Sequence, residues 1–269
     1  MELDPNYLYL PKKYWKKHDH CMFLINQIEE FVIDKTYHGL RIKSIRLKKN
    51  EKIEKDEHVF DFMLRTGRVQ EHNEMVRNQL VNSLLIDICY FIQEALDCSK
   101  KKRTSVTFAL LRKPFVYDLI VFLRIMFEEG FIEKFNTLDQ FDVIGIKEDD
   151  KKALIKESTK FVIPKSITDG DIYDLIFNPT DQDSLINIST KALHLSTNRN
   201  KNNMTGIQNL NFVFSNQESI LSQWEYIYKR LPLLLFYYIQ IIDTLVFGIL
   251  DLPIEKFTSR LETRIHGLK

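Results

Sequence analysis

His194 is followed within six residues by Arg199 and Asn200, in the most polar stretch of the chain, Ser196 to Gly206. Imidazole titrates near neutral pH and moves protons. A guanidinium holds an anion, and an amide side chain anchors a polar group beside it. These types suit work on a phosphodiester, with the cation on the phosphate and the base on a neighbouring hydroxyl. Two further arginines stand where arginine is unexpected. Arg77 projects into the middle of an apolar helix face, near the azimuth of Leu84 and Ala95. It must snorkel, meet a carboxylate or face a cleft. Arg112 precedes Lys113 and Pro114 inside a second apolar segment.

Other chemistry is thinly represented. His18-Asp19-His20-Cys21 is the one dense group of metal-type side chains in the sequence. On a helix His18 and Cys21 share a face while His20 points elsewhere, and no second ligand pair is spaced nearby. These read as surface groups, and no metal or cofactor is expected. The phosphate-cradling loop, the dinucleotide-binding glycine pattern, the nucleophile elbow and the double cysteine pair are all missing. A nucleotide-driven enzyme, an α/β-hydrolase and a zinc ribbon are therefore disfavoured.

The elements that must position these residues are helical. From His72 to Asp97 the apolar positions Val76, Leu80, Val81, Leu84, Leu85, Ile88, Cys89, Ile92, Ala95 and Leu96 cover about half a helix circumference. After the basic turn Lys100-Lys101-Lys102-Arg103 a second helix runs towards Glu129, with a kink or fresh start at Pro114. The expected fold is mainly α, a multi-helix bundle around this long antiparallel pair. A small β element is allowed near residues 39–64, where Leu40 to Lys49 alternates and Val59 to Leu64 is an apolar run; residues 208–214 are expected to be extended. Residues 1–68 hold a helix from Lys13 to about Asp34 and this basic segment. Residues 69–269 form the helical core, one unit with the first part. A helix from Asp183 to Leu195 buries Leu185, Ile188, Ala192 and Leu195 and leaves His194 on the polar side. The last long helix starts at a capping box, Ser215 to Glu218.

Composition sets the outer limits. With 269 residues, 44% of them hydrophobic, and only 8 glycines and 7 prolines, the chain has material for a large core and too little for turn-dense β structure. A net charge of +1 makes no bulk claim for nucleic acid or membrane. The 3 cysteines suggest no disulfide framework, and the N-terminus lacks a signal-peptide pattern, so a cytoplasmic setting is expected. Leu231 to Leu252 is long enough to span a bilayer, but Gln240 and Asp243 near its middle predict a buried helix with a partner for the carboxylate, and no membrane association.

The helical layout, the arginine within an apolar face and the Asn-rich loop after a helix-terminal histidine resemble the HEPN-type helical proteins of bacterial antiviral and toxin systems. Ala109-Leu110-Leu111-Arg112-Lys113-Pro114 is also similar to a segment of uncharacterised bacterial helical proteins. The HEPN pattern is an arginine and a later histidine across a short spacer. Arg65 to His72 and Arg260 to His266 satisfy the spacing, while Arg199-Asn200 approaches the common form with Met204 where histidine belongs. The resemblance implies a defence-type effector that cleaves or binds RNA without a metal, using His194, Arg199, Asn200, Arg77 and Arg112. The expected partners are RNA or a protein, and the expected assembly is a homodimer. The alternative is a non-catalytic helical scaffold or sensor that binds a protein or itself. It is motivated by ample apolar helix surface without a complete catalytic set.

Overall fold

The computed structural model describes residues 4–198, 201, 204–213 and 215–267. Arg199 and Asn200, two of the expected site residues, lie outside them. The described residues form eleven α-helices. In chain order they are α1 (Trp15–Ile33), α2 (Val59–Arg65), α3 (Val69–Lys100), α4 (Thr104–Arg112), α5 (Leu119–Phe127), α6 (Phe131–Thr137), α7 (Glu148–Thr159), α8 (Asp169–Ile176), α9 (Leu185–Leu193), α10 (Gln217–Leu250) and α11 (Ile254–Gly267).

No strand occurs among the described residues, so the small β element allowed near residues 39–64 is absent. Residues 35–40 form a 3₁₀ helix and Val59 to Arg65 an α-helix. The apolar run there has strand length, but the His58 imidazole accepts the Phe60 N–H at 3.2 Å and starts a helix instead. Phe62 and Met63 then bury against Met75 of α3.

The expected helix pair is present with a different joint. α4 and α5 are linked without a break by a π turn, Lys113–Asp118. Pro114 has no N–H to give the preceding turn, and the wider winding absorbs the missing bond. α3 packs between α1 and the α4–α5 arm, and α10 closes the group against α1, α4 and α5. α9 rides on α4, and α7 on α5. One apolar core runs through this layer from Leu10 to Leu261.

α10 is as deeply embedded as the pair. Every residue from Leu234 to Asp243 is buried. Among the described residues it is the one helix long and apolar enough to cross a membrane, and 72% of its most apolar window is buried inside the protein. Asp243, fully buried, has the partners its position demands. Arg260 Nε donates to Asp243 Oδ1 at 3.2 Å and Arg264 Nη2 donates to Oδ2. Arg260 also donates to the Gln27 carbonyl at 2.7 Å and to Glu30, with its guanidinium 4.3 Å from the Phe31 ring centre. α11 is thereby fixed to α1 and α10 together.

A second buried carboxylate lies at the π turn. Asp118 is 4% exposed, beside Asp87 of α3, whose carboxylate is 2.6 Å from Lys113 Nζ. Burial, and then the neighbouring Asp87 charge, push the Asp118 carboxyl up to about 7.

Two outcomes are expected. Asp243→Asn leaves the buried Arg264 guanidinium without its counter-charge and Arg260 with Glu30 alone, so urea unfolding at pH 7 should show a loss of about 3–5 kcal/mol. A loss under about 1 kcal/mol, the scale of an exposed pair, would mean the cluster carries no buried charge. For Asp118, the folded state holds a proton that the unfolded chain has released. Its contribution to stability therefore falls as pH rises from 3.8 to about 7. Asp118→Asn should melt above the parent at pH 8 and level with it at pH 4; a parent that melts higher at pH 8 would reverse the sign.

Candidate functional site

A cleft of about 1040 Å³ lies between α1, α10, α11 and the strap joining α7 to α8. Each wall follows from local pattern. α1 turns Cys21, Leu24, Ile25, Ile28 and Phe31 into the core, which leaves Lys16, Lys17, Asp19, His20 and Phe23 on the flank that lines the cleft. On α10 the lining residues are Tyr228, Lys229, Pro232, Leu233 and Phe236, one helical face at intervals of four. Pro232 lies inside this helix and has no N–H for the Tyr228 carbonyl one turn back. The strap contributes Ile163, Pro164, Ser166 and Ile167, and α11 contributes Ile265. The strap is tied by Ile163 N–H, which donates to Gln240 Oε1 at 2.9 Å. Gln240 is fixed in turn by its own bond to the Phe236 carbonyl at 3.1 Å.

A rigid polar group supports one wall. The Tyr228 hydroxyl is 3.0 Å from His18 Nδ1 and 3.1 Å from Ser99 Oγ, and Trp224 Nε1 donates to the Ser99 carbonyl at 3.0 Å. Burial holds the His18 imidazole down at about 4, so it stays neutral and serves as a spacer. His20, half-buried on the cleft wall, differs from it. Both of its ring nitrogens are buried and neither has a hydrogen-bond partner, and burial lowers its pKa. Orphaned buried polar atoms cost free energy and call for a partner. At the mouth Lys16, Lys17 and Lys229 are exposed and form no ion pair among the described residues. Asp19 is engaged by the Tyr7 hydroxyl at 2.7 Å.

Of the residues singled out from sequence, Arg112, Arg77 and His194 do not line this cleft, and Arg199 and Asn200 lie outside the described residues. Arg112 is a joint between helices: Nε donates to the Tyr117 hydroxyl at 2.7 Å, and Nη1 reaches the Ile186 carbonyl, Ser189 Oγ and Thr190 Oγ1 at 3.2, 3.2 and 2.7 Å. Arg77 is half-buried and leans on Asn78 Oδ1 at 3.3 and 3.4 Å, with Glu74 near enough to feel its charge but no ion pair among the described residues. His194 is exposed just past the end of α9, its carbonyl accepting from Asn211 Nδ2 at 2.9 Å. Arg112 therefore reaches α9 one turn before His194, with Nη1 bonded to that helix and Nε to Tyr117. Leu195, expected in the buried stripe, is 67% exposed because α9 ends at Leu193. The buried side of α9 carries Asn187 and Ser189 as well as Leu185. The start of α10 also differs: Asn216, not Ser215, caps it by accepting the Ser219 N–H at 2.8 Å.

Protein-family models, curated proteins and solved structures were compared with this chain. None matches.

The cleft escaped the sequence reading because its walls come from four distant segments. One signal was present: Lys16, His20 and Phe23 share a helical flank, and Lys229, Leu233 and Phe236 repeat that pattern on α10. Reading His18, Asp19, His20 and Cys21 as surface groups also missed that His18 and Cys21 are core residues.

Proposed function

We propose that this chain is a non-catalytic helical sensor whose cleft between α1 and α10 receives a small apolar ligand. The observation that carries the reading is the cleft itself. Its volume of about 1040 Å³ is that of a roomy ligand site, and its walls are largely apolar around a few polar groups. Among the described residues no hydrogen-bonded nucleophile–base pair lines it: Ser99 and His18 are buried behind Tyr228, each within reach of the tyrosine hydroxyl. Binding, not bond-making, is the chemistry such a cleft supports. A sensor must pass its state on, here to a second copy of the chain or a protein partner in the cytoplasm. The helices that line the cleft reach the surface needed for this.

RNA cleavage in the HEPN manner is the second reading, favoured by the exposed His194 beside a polar hollow of about 290 Å³ that includes Lys191, Asn209 and Asn211.

The two readings separate experimentally. A neutral solvatochromic dye should bind the parent protein and bind Leu233→Trp at least about tenfold more weakly, a difference of 1.4 kcal/mol, with the melting temperature unchanged. Equal dye binding by both proteins would remove the cleft as a ligand site. Labelled RNA incubated with excess protein should stay intact; cleavage that disappears in His194→Ala would instead favour the nuclease reading.

A further inference from the structure

We infer that the ligand of this cleft is a single alkyl chain ended by a carboxylate, seated with its charge between Lys16, Lys17 and Lys229. The inference rests on the sensor reading and adds the chemical class and orientation of what is bound.

The polarity of the cleft is graded along its length. α1 and α10 run in the same direction, since Tyr14 and His18 of the α1 end lie against Tyr228, and Phe31 lies against Phe247 further on. On both helices a lysine comes first and a phenylalanine follows seven positions later: Lys16 and Phe23 on α1, Lys229 and Phe236 on α10. The cations therefore share one end and the aromatic rings the other. The apolar end is closed by Ile163, tied to Gln240, and by Ile265 of α11. Seven residues of helix span about 10 Å, room for an extended chain of about eight to ten carbons.

Charge complementarity selects the head group. Lys16, Lys17 and Lys229 have no ion pair among the described residues. Of the nearby carboxylates, Asp19 accepts from the Tyr7 hydroxyl, and Glu225, which also feels the Lys17 charge, accepts from Tyr14 and pairs with Lys13. A compact anion fits among them. His20 lies one turn inward from Lys16, with both nitrogens unpartnered. Both nitrogens are also covered by protein atoms, so the head group is held by the lysine ammonium groups. Beyond His20 the walls are apolar, and a second charge there would meet no counter-charge.

Calorimetric titration of the full chain with decanoate and with decanol, below their aggregation concentrations, tests this. Decanoate should bind at least about tenfold more tightly than decanol, and added salt should shrink the difference. The combined variant Lys16→Gln, Lys17→Gln, Lys229→Gln should bring decanoate down to the level of decanol without changing decanol. Matched melting temperatures confirm that the variant is folded. Equal affinities for decanoate and decanol would overturn the carboxylate assignment and leave the sensor reading intact, provided the neutral dye still binds. Absence of binding by dye, decanol and decanoate together would overturn both. Lysine-dependent sedimentation of the protein with anionic lipid vesicles, without decanoate binding, would assign the lysines to a membrane surface and also end the proposal.

Discussion

A carboxylate in the middle of the most apolar helix organises much of this protein. Asp243 costs several kcal/mol to desolvate and is tolerable only with charges beside it. Those charges are on α11, which also packs Phe257 and Leu261 against the core. Arg260 and Arg264 are one turn apart and both reach the same carboxylate, so the rotation of α11 about its axis is fixed as well as its position. Arg260 extends the arrangement to α1 through the Gln27 carbonyl, Glu30 and the Phe31 ring. An apolar triple of similar volume could match this in stability, but it would not select one orientation of α11. The orientation matters because Ile265, next to Arg264, closes one end of the cleft.

Much of the helical plan was legible in the sequence because its causes are local. The broad apolar face of α3, the proline inside the second helix and the charged residue inside the Leu231 to Leu252 run each constrain the chain through nearby residues alone. Where the reading failed, the deciding interaction was a detail beyond pattern. Val59 to Leu64 has no period that separates strand from helix, and a single imidazole cap decided for helix. Leu195 continues the apolar stripe of α9 on a helical wheel, but the helix ends two residues sooner. The cleft lay beyond reach because it has no representative in any one segment.

The arginines show how a charge in an apolar face is accommodated without a carboxylate. Arg112 is half-buried and receives oxygen atoms from neutral groups: a phenol, a main-chain carbonyl and two hydroxyls. Its charge is spread over dipoles, which also bind α4 to α9. Arg124 follows another route, with Glu128 as an ion-pair partner, the Asp142 carbonyl as a further acceptor, and the rings of Phe131 and Phe141 at 5.0 and 4.9 Å. In both, the guanidinium joins segments of the fold: α4 to α9 through Arg112, and α5 to the Asp142 carbonyl through Arg124. The unpartnered imidazole of His20 becomes visible only once the neighbours of every nitrogen are known.

The π turn at Lys113–Asp118 is, in effect, an insertion that the fold has kept. It accommodates one residue more than an α-helical turn would, and one residue is about 100° of rotation around the axis. Everything after the turn is therefore rotated relative to everything before it, although the arm stays continuous. α4 shows its contact faces to α3 and α9, while α5 shows its own to α7 and α10. One arm thus serves two sets of neighbours that an uninterrupted helix of the same sequence could not face at once. A single-residue deletion between 113 and 118 would give a more regular helix and a worse protein. The side chains from Leu119 to Arg124, all buried now, would each point towards the wrong neighbour.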